Sequence, residues 1–175
     1  MTMWRNLAAA MALVLMAAGR PAIAADPVPA ELRPPGSTLL FTAEASGVQI
    51  YQSVAEGGGP AKWVLEAPLA RLTDAQGALV VYHYAGPSWE APDGSKIVRD
   101  KDTAVKAVPA PDAADIPWLL IKVAADPAAG VFSKVGFVQR IATHGGVAPA
   151  TPPVRAGTKI GVAYTATYAF YVPAK

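Results

Sequence analysis

From Thr38 onward the chain is a succession of short runs in which apolar and polar residues alternate, divided by glycine, proline and aspartate. A period of two is the mark of β-strands, whose successive side chains point to opposite faces. Thr38–Ala43 and Val48–Gln52 read as the first two strands, parted by a Ser46-Gly47 turn. Gly57-Gly58-Gly59-Pro60 is a loop before Lys62–Glu66, where Trp63 and Leu65 share one face and Val64 takes the other. Asp74-Ala75-Gln76-Gly77 is a turn leading into Ala78–Tyr84. That strand is apolar or aromatic on both faces, which predicts a central strand covered on both sides. Pro92-Asp93-Gly94 is a tight-turn signal before Ser95–Arg99. Residues 107–117, with three prolines and two aspartates, read as a loop or an edge crossing.

Trp118–Val123 and Val135–Thr143 are further strands. Thr158–Val172 alternates throughout, with Ile160, Val162, Tyr164, Tyr168, Phe170 and Val172 on one side. At about 3.3 Å per residue it is too long for one flat strand, so a bulge or bend is expected near Ala163–Ala166. Helical periodicity is thin: residues 99–106 show no stripe, and Asp126–Gly130 has room for one turn at most. The pattern predicts an all-β domain, an antiparallel β-sandwich or partly closed barrel of about eight or nine strands with little helix.

The first 37 residues break the pattern. Arg5, the apolar stretch Leu7 to Ala18 and the small residues of Ala22-Ile23-Ala24 have the order of a secretory signal. The apolar run is shorter than the roughly 20 residues of a spanning helix, and Gly19-Arg20-Pro21 ends it. The expected organisation is a signal peptide over 1–24, a proline-rich extended lead-in over 25–37 and one β domain over 38–175. The destination is then the periplasm or the extracellular space, with no membrane span after cleavage.

Charge matters only through that division. Of the 15 Lys+Arg, Arg5 and Arg20 lie in residues 1–24, which hold no acidic residue. The mature chain therefore carries 13 basic against 13 acidic residues and is formally neutral. Nucleic acid and anionic membrane surfaces, which need clustered positive charge, lose their electrostatic support. The chain has no cysteine, so its core alone must hold it together, and neither a disulfide nor a nucleophilic thiol is available.

The densest polar and aromatic stretch is His83–Gly94 (HYAGPSWEAPDG). Read as a site, it offers His83 as a general base with Glu90 or Asp93, and Tyr84, Trp89 and, more weakly, His144 as ligand-binding side chains. Read as structure, Gly86-Pro87 is a turn, Trp89 covers the core edge and His83 bonds a backbone group; this plainer reading is the stronger. A metal site is not expected, because two histidines about sixty residues apart have no ligand spacing. No serine sits in a Gly-x-Ser-x-Gly elbow. Gly57-Gly58-Gly59 lacks the Lys-Ser/Thr of a phosphate loop, and no cofactor is implied.

The segments LRPPGSTLLFTAEASGVQIYQS, WVLEAPLARLTDAQG, HYAGPSWEAPDGSKI, IPWLLIK, FSKVGFVQRIATHGGVAP and YTATYAFY occur in an order that resembles the domain of unknown function 3455 (DUF3455) family of exported bacterial and fungal proteins. The likeness runs from about Leu32 to Tyr171, and HYAGPSWE and QRIATHGG are its most specific blocks. The resemblance implies one exported β-rich domain and no particular reaction. It also implies cysteines after the Gln-Ile-Tyr motif and after the Ala-Pro loop. Here those places hold Gln52 or a neighbour and Pro152-Pro153-Val154, which fits loss of a disulfide rather than of an active cysteine. The sequence thus favours a non-catalytic binding or structural module whose partner is a small molecule, a polysaccharide or a protein. A hydrolase-type enzyme using His83 with Glu90 or Asp93 is the alternative.

Overall fold

The computed structural model describes residues 27–126 and 129–175; the expected signal segment lies outside them. Nine strands form one sheet: β1 (Ser37–Val54), β2 (Lys62–Thr73), β3 (Leu79–Tyr84), β4 (Ser88–Glu90), β5 (Lys96–Arg99), β6 (Lys106–Val108), β7 (Trp118–Ala125), β8 (Phe137–Gly145) and β9 (Lys159–Pro173). Every pairing is antiparallel. The order is β5-β4-β3-β2-β1-β9-β8-β7-β6, and a further β5–β7 pairing brings the sheet back on itself. The N-terminal half of β7 pairs with β6 and its last residues with β5. The all-β antiparallel reading holds, realised as a ring-like single sheet rather than two packed ones.

Long pairings govern where strands begin and end. β1 runs unbroken through Ser46-Gly47, where a turn was expected. It is bonded on one side to β2 from Glu44 to Val54 and on the other to β9 from Ser37 to Gln52. Gly47 answers a need for space: a Cβ there would lie 2.2 Å from the Leu69 carbonyl oxygen. β2 likewise continues past Glu66 to Thr73.

β9 carries no register shift of its own near Ala163–Ala166. The irregularities sit in its partners, between Leu39 and Phe41 of β1 and between Ile141 and His144 of β8. In β8 the extra residue lies beside Ala142, whose φ of 47° places it in the left-handed region that one type of bulge uses. The bend is therefore made on β8, and β9 curves with it. The region 107–117 also contributes a short strand, since Lys106–Val108 pairs with β7.

The ring interior has two characters. Toward one end it is aliphatic and aromatic, with Phe41, Phe132 and Phe170 stacked on one another among Leu72, Val81 and Ile97. Elsewhere it holds Gln49, Ser53, His83, Arg140 and Thr143, all buried. A second apolar cluster lies outside the ring. There the lead-in, which was expected to be extended, makes a 3-10 turn at Ala30–Leu32 and buries Leu32 completely against Trp118 and Leu120. The Gln139 side-chain amide donates to the Leu32 carbonyl at 2.6 Å and fixes that turn in place.

Candidate functional site

β3 alternates strictly. Val81 and His83 turn into the ring, while Tyr82, at 45% exposure, turns outward with Tyr84 beside it. Only one face of this strand is buried, which corrects the expectation of cover on both sides. The cause is that, among the described residues, no second layer packs on the outer face of β1–β4; the sheet closes around its inner face.

His83 belongs to that interior. Its ring stacks on Trp89, centroids 4.5 Å apart at 8°, and meets Tyr168 edge-on at 5.3 Å. Nδ1 donates to the Ser88 carbonyl at 2.8 Å, which places the ring proton on Nδ1. Burial lowers the imidazole pKa to about 4, the Ser88 bond opposes this, and the nearby positive charge of Arg140 adds to the lowering. Arg140 is buried with its Nε and Nη2 donating to the Pro117 carbonyl. Tyr164 and Tyr168 bring their hydroxyls within 3.3 Å of each other, and burial raises both phenols above their ordinary value.

Glu90 lies on the opposite face from His83. It pairs with Tyr82 across β3–β4, and its carboxylate accepts a hydrogen bond from the Tyr84 hydroxyl. Asp93 serves the following turn: its oxygens accept from the Ser95 amide, the Ser95 hydroxyl at 2.6 Å and the Val131 amide at 2.8 Å. Those bonds, led by the Ser95 hydroxyl, hold the Asp93 carboxyl below its usual range. His83 and Glu90 both border the groove on the outer face of β1–β4, but their side chains point to opposite faces of the hairpin, and Asp93 is engaged in the following turn. Trp89 is wholly buried with its indole N–H unpartnered. His144 is 79% exposed, with Nδ1 3.5 Å from Asp115, whose other oxygen accepts the Gly145 amide. Among the described residues no group of three or more His, Asp or Glu is placed to hold a metal, and no helix is long and apolar enough to cross a membrane.

What the outer face does assemble is a groove of about 640 Å³ over β1–β4. Val48, Leu69, Arg71, Tyr82, Tyr84 and Glu90 are among its lining residues. One cross-strand row crosses it: Ser46 pairs with Arg71, Arg71 with Tyr82, and Tyr82 with Glu90. Leu69 and Arg71 have no local motif, and only the register of β2 against β3 places them beside Tyr82.

A family model described as "Protein of unknown function (DUF3455)" matches residues 34–172. The chain belongs to the DUF3455 family. No curated protein and no solved structure matches it. The HYAGPSWE block of this DUF3455 chain lies in the β3–β4 hairpin and supplies both the buried His83–Trp89 stack and the outward Tyr84 and Glu90, with Tyr82 immediately before it. Its QRIATHGG block is β8 with the Ala142 bulge. The two places where the resemblance implies cysteines are neighbours here. The Ser53 hydroxyl donates to the Arg155 carbonyl at 2.7 Å and accepts the Thr158 amide at 2.8 Å. Hydrogen bonds thus tie the end of β1 to the segment before β9.

Proposed function

We propose that this DUF3455 chain is an exported, non-catalytic binding module of the periplasm or extracellular space, and that it takes its ligand in the outer groove of β1–β4. One observation carries the reading: a single hairpin turns its ionisable histidine into the core and its tyrosines and free carboxylate side outward. An enzyme working through His83 needs that ring to share a pocket with Glu90 or Asp93. His83 and Glu90 both border the groove, but the imidazole is neutral, turned into the core against Trp89 and bonded to backbone, while the carboxylates stand on other faces. The groove has the size of a small-molecule site and mostly apolar walls with a few convergent polar groups. Export rests on the Arg5, Leu7–Ala18 and Ala22-Ile23-Ala24 pattern, and the neutrality of the mature chain argues against nucleic-acid partners.

Two measurements test this. N-terminal sequencing of protein recovered from periplasmic and culture fractions is expected to begin at Ala25; retention in the cytoplasm with Met1 intact overturns export. A fragment screen on residues 25–175, followed through backbone amide NMR shifts, is expected to cluster at Leu69, Arg71, Tyr82 and Tyr84. Turnover of a hydrolase substrate that is abolished in His83→Ala, with the fold retained, replaces this reading with the enzymatic one.

A further inference from the structure

We infer that the outer groove is a saccharide subsite, in which the Tyr82 ring is the stacking platform and Arg71 and Glu90 are the flanking hydrogen-bonding groups for a neutral oligosaccharide. The inference rests on the binding-module reading and names the ligand class of the same groove.

Three properties of the row carry it. First, Tyr82 presents an exposed ring on a rigid strand that is bonded on both sides, to β2 and to β4. A sugar has apolar C–H faces and a rim of hydroxyls, so a flat aromatic surface inside an apolar groove suits its face. Second, polar groups stand on either side of that ring in register. The exposed Arg71 side chain makes no hydrogen bond or ion pair among the described residues, so its guanidinium donors are unspent. Glu90 uses one oxygen, Oε2, on the Tyr84 hydroxyl. That bond fixes the carboxylate, leaving Oε1 to accept from a sugar hydroxyl. Third, the lining holds one cation and one carboxylate, Arg71 and Glu90. A net-anionic ligand meets Glu90 and a net-cationic one meets Arg71, so a ligand without net charge fits the pair, and beside the Tyr82 ring a neutral polyhydroxyl one engages both groups through hydrogen bonds. Lys96, whose Nζ lies 5.0 Å from the Tyr84 ring centre, falls outside the lining.

Other occupants fit less well. An extended peptide binds a sheet through an unpaired strand edge, and β1–β4 each have a strand on both sides. A lipid chain gains nothing from two charges flanking its path. Tyr82 and Tyr84 share a face about 7 Å apart along the strand, so the surface continues past one ring and suits a short oligosaccharide.

The test titrates residues 25–175 with cellohexaose, xylohexaose, mannohexaose and chitohexaose, reading amide shifts. At least one is expected to give saturable shifts centred on Arg71, Tyr82 and Glu90. Tyr82→Ala should weaken that binding about tenfold or more, and Tyr82→Phe should leave it nearly unchanged. Glu90→Gln and Arg71→Ala should each weaken it with an unaltered melting temperature, since both side chains lie on the outer face. Fragments that bind the groove while all four sugars leave it unshifted overturn the saccharide inference and leave the binding-module reading standing. Sugar shifts centred elsewhere on the ring also overturn it. A groove that binds neither fragments nor sugars overturns both.

Discussion

His83 shows what one buried side chain costs at low pH. Its native pKa is about 4 against an ordinary 6.5, so between those values the unfolded chain takes up a proton that the native chain refuses. Stability from this group is complete above pH 6.5 and falls as the pH drops toward 4, below which the loss is constant. Integrated over the window, the loss is about 3 kcal/mol. Replacing His83 by phenylalanine keeps a ring against Trp89 and removes the titration. Urea unfolding at pH 7, 5.5 and 4.5 should therefore show wild-type stability declining more steeply than that of His83→Phe, by about 2 kcal/mol over the range. Parallel pH profiles for the two proteins would mean that the imidazole is not the neutral core group described above.

At the scale of elements, β1 owes its length to a glycine that reads locally as a turn. Gly47 faces β2 where a Cβ would meet the Leu69 carbonyl oxygen and Ala70 Cα at 2.2 and 2.5 Å. Both neighbours are backbone or bonded to it and have no room to shift. Gly47→Ala is expected to cost about 3 kcal/mol, the upper end of overpacking penalties. Gly136→Ala, with nothing within 4 Å, should change stability by less than about 0.5 kcal/mol. Equal denaturation midpoints for the two variants would show that the strands separate more easily than their register implies. The same residue explains what was legible beforehand. Alternation placed most strands and the all-β class, because period two is written locally. The continuity of β1 through Ser46-Gly47 was not legible, since β9, more than a hundred residues away, supplies the bonds that override a local turn signal. The site divides in the same way. Tyr84 and Glu90 could be named from one short stretch, whereas Arg71 reaches Tyr82 only through the β2–β3 register.

For the whole molecule, closing the ring leaves an apolar cluster around Trp118 and Leu120 outside it, and the lead-in covers that cluster. Trp118 and Leu120 point away from the ring interior and cluster with Val108, Phe137 and Ile141. Leu32 sits among them with no exposure, and Val28 packs beside it. Burying such a side chain contributes about 1.5–3 kcal/mol, and leaving a cavity in its place adds a further cost. Leu32→Ala should therefore lower the unfolding free energy by about 2–5 kcal/mol. Gln139→Ala should cost about 2 kcal/mol, because it removes the bond that fixes the turn and the one accepted from the Tyr171 hydroxyl but leaves the apolar contact. A chain beginning at Gly36 should retain its β-sheet circular dichroism, since β1 starts at Ser37. It should also bind an apolar dye at the uncovered Trp118–Leu120 surface and self-associate with rising concentration. If that shortened chain were as stable and as monomeric as residues 25–175, Leu32 would be an ornament on the ring. The burial of Leu32 and the Gln139 bond instead make the lead-in a strap that seals the Trp118–Leu120 surface.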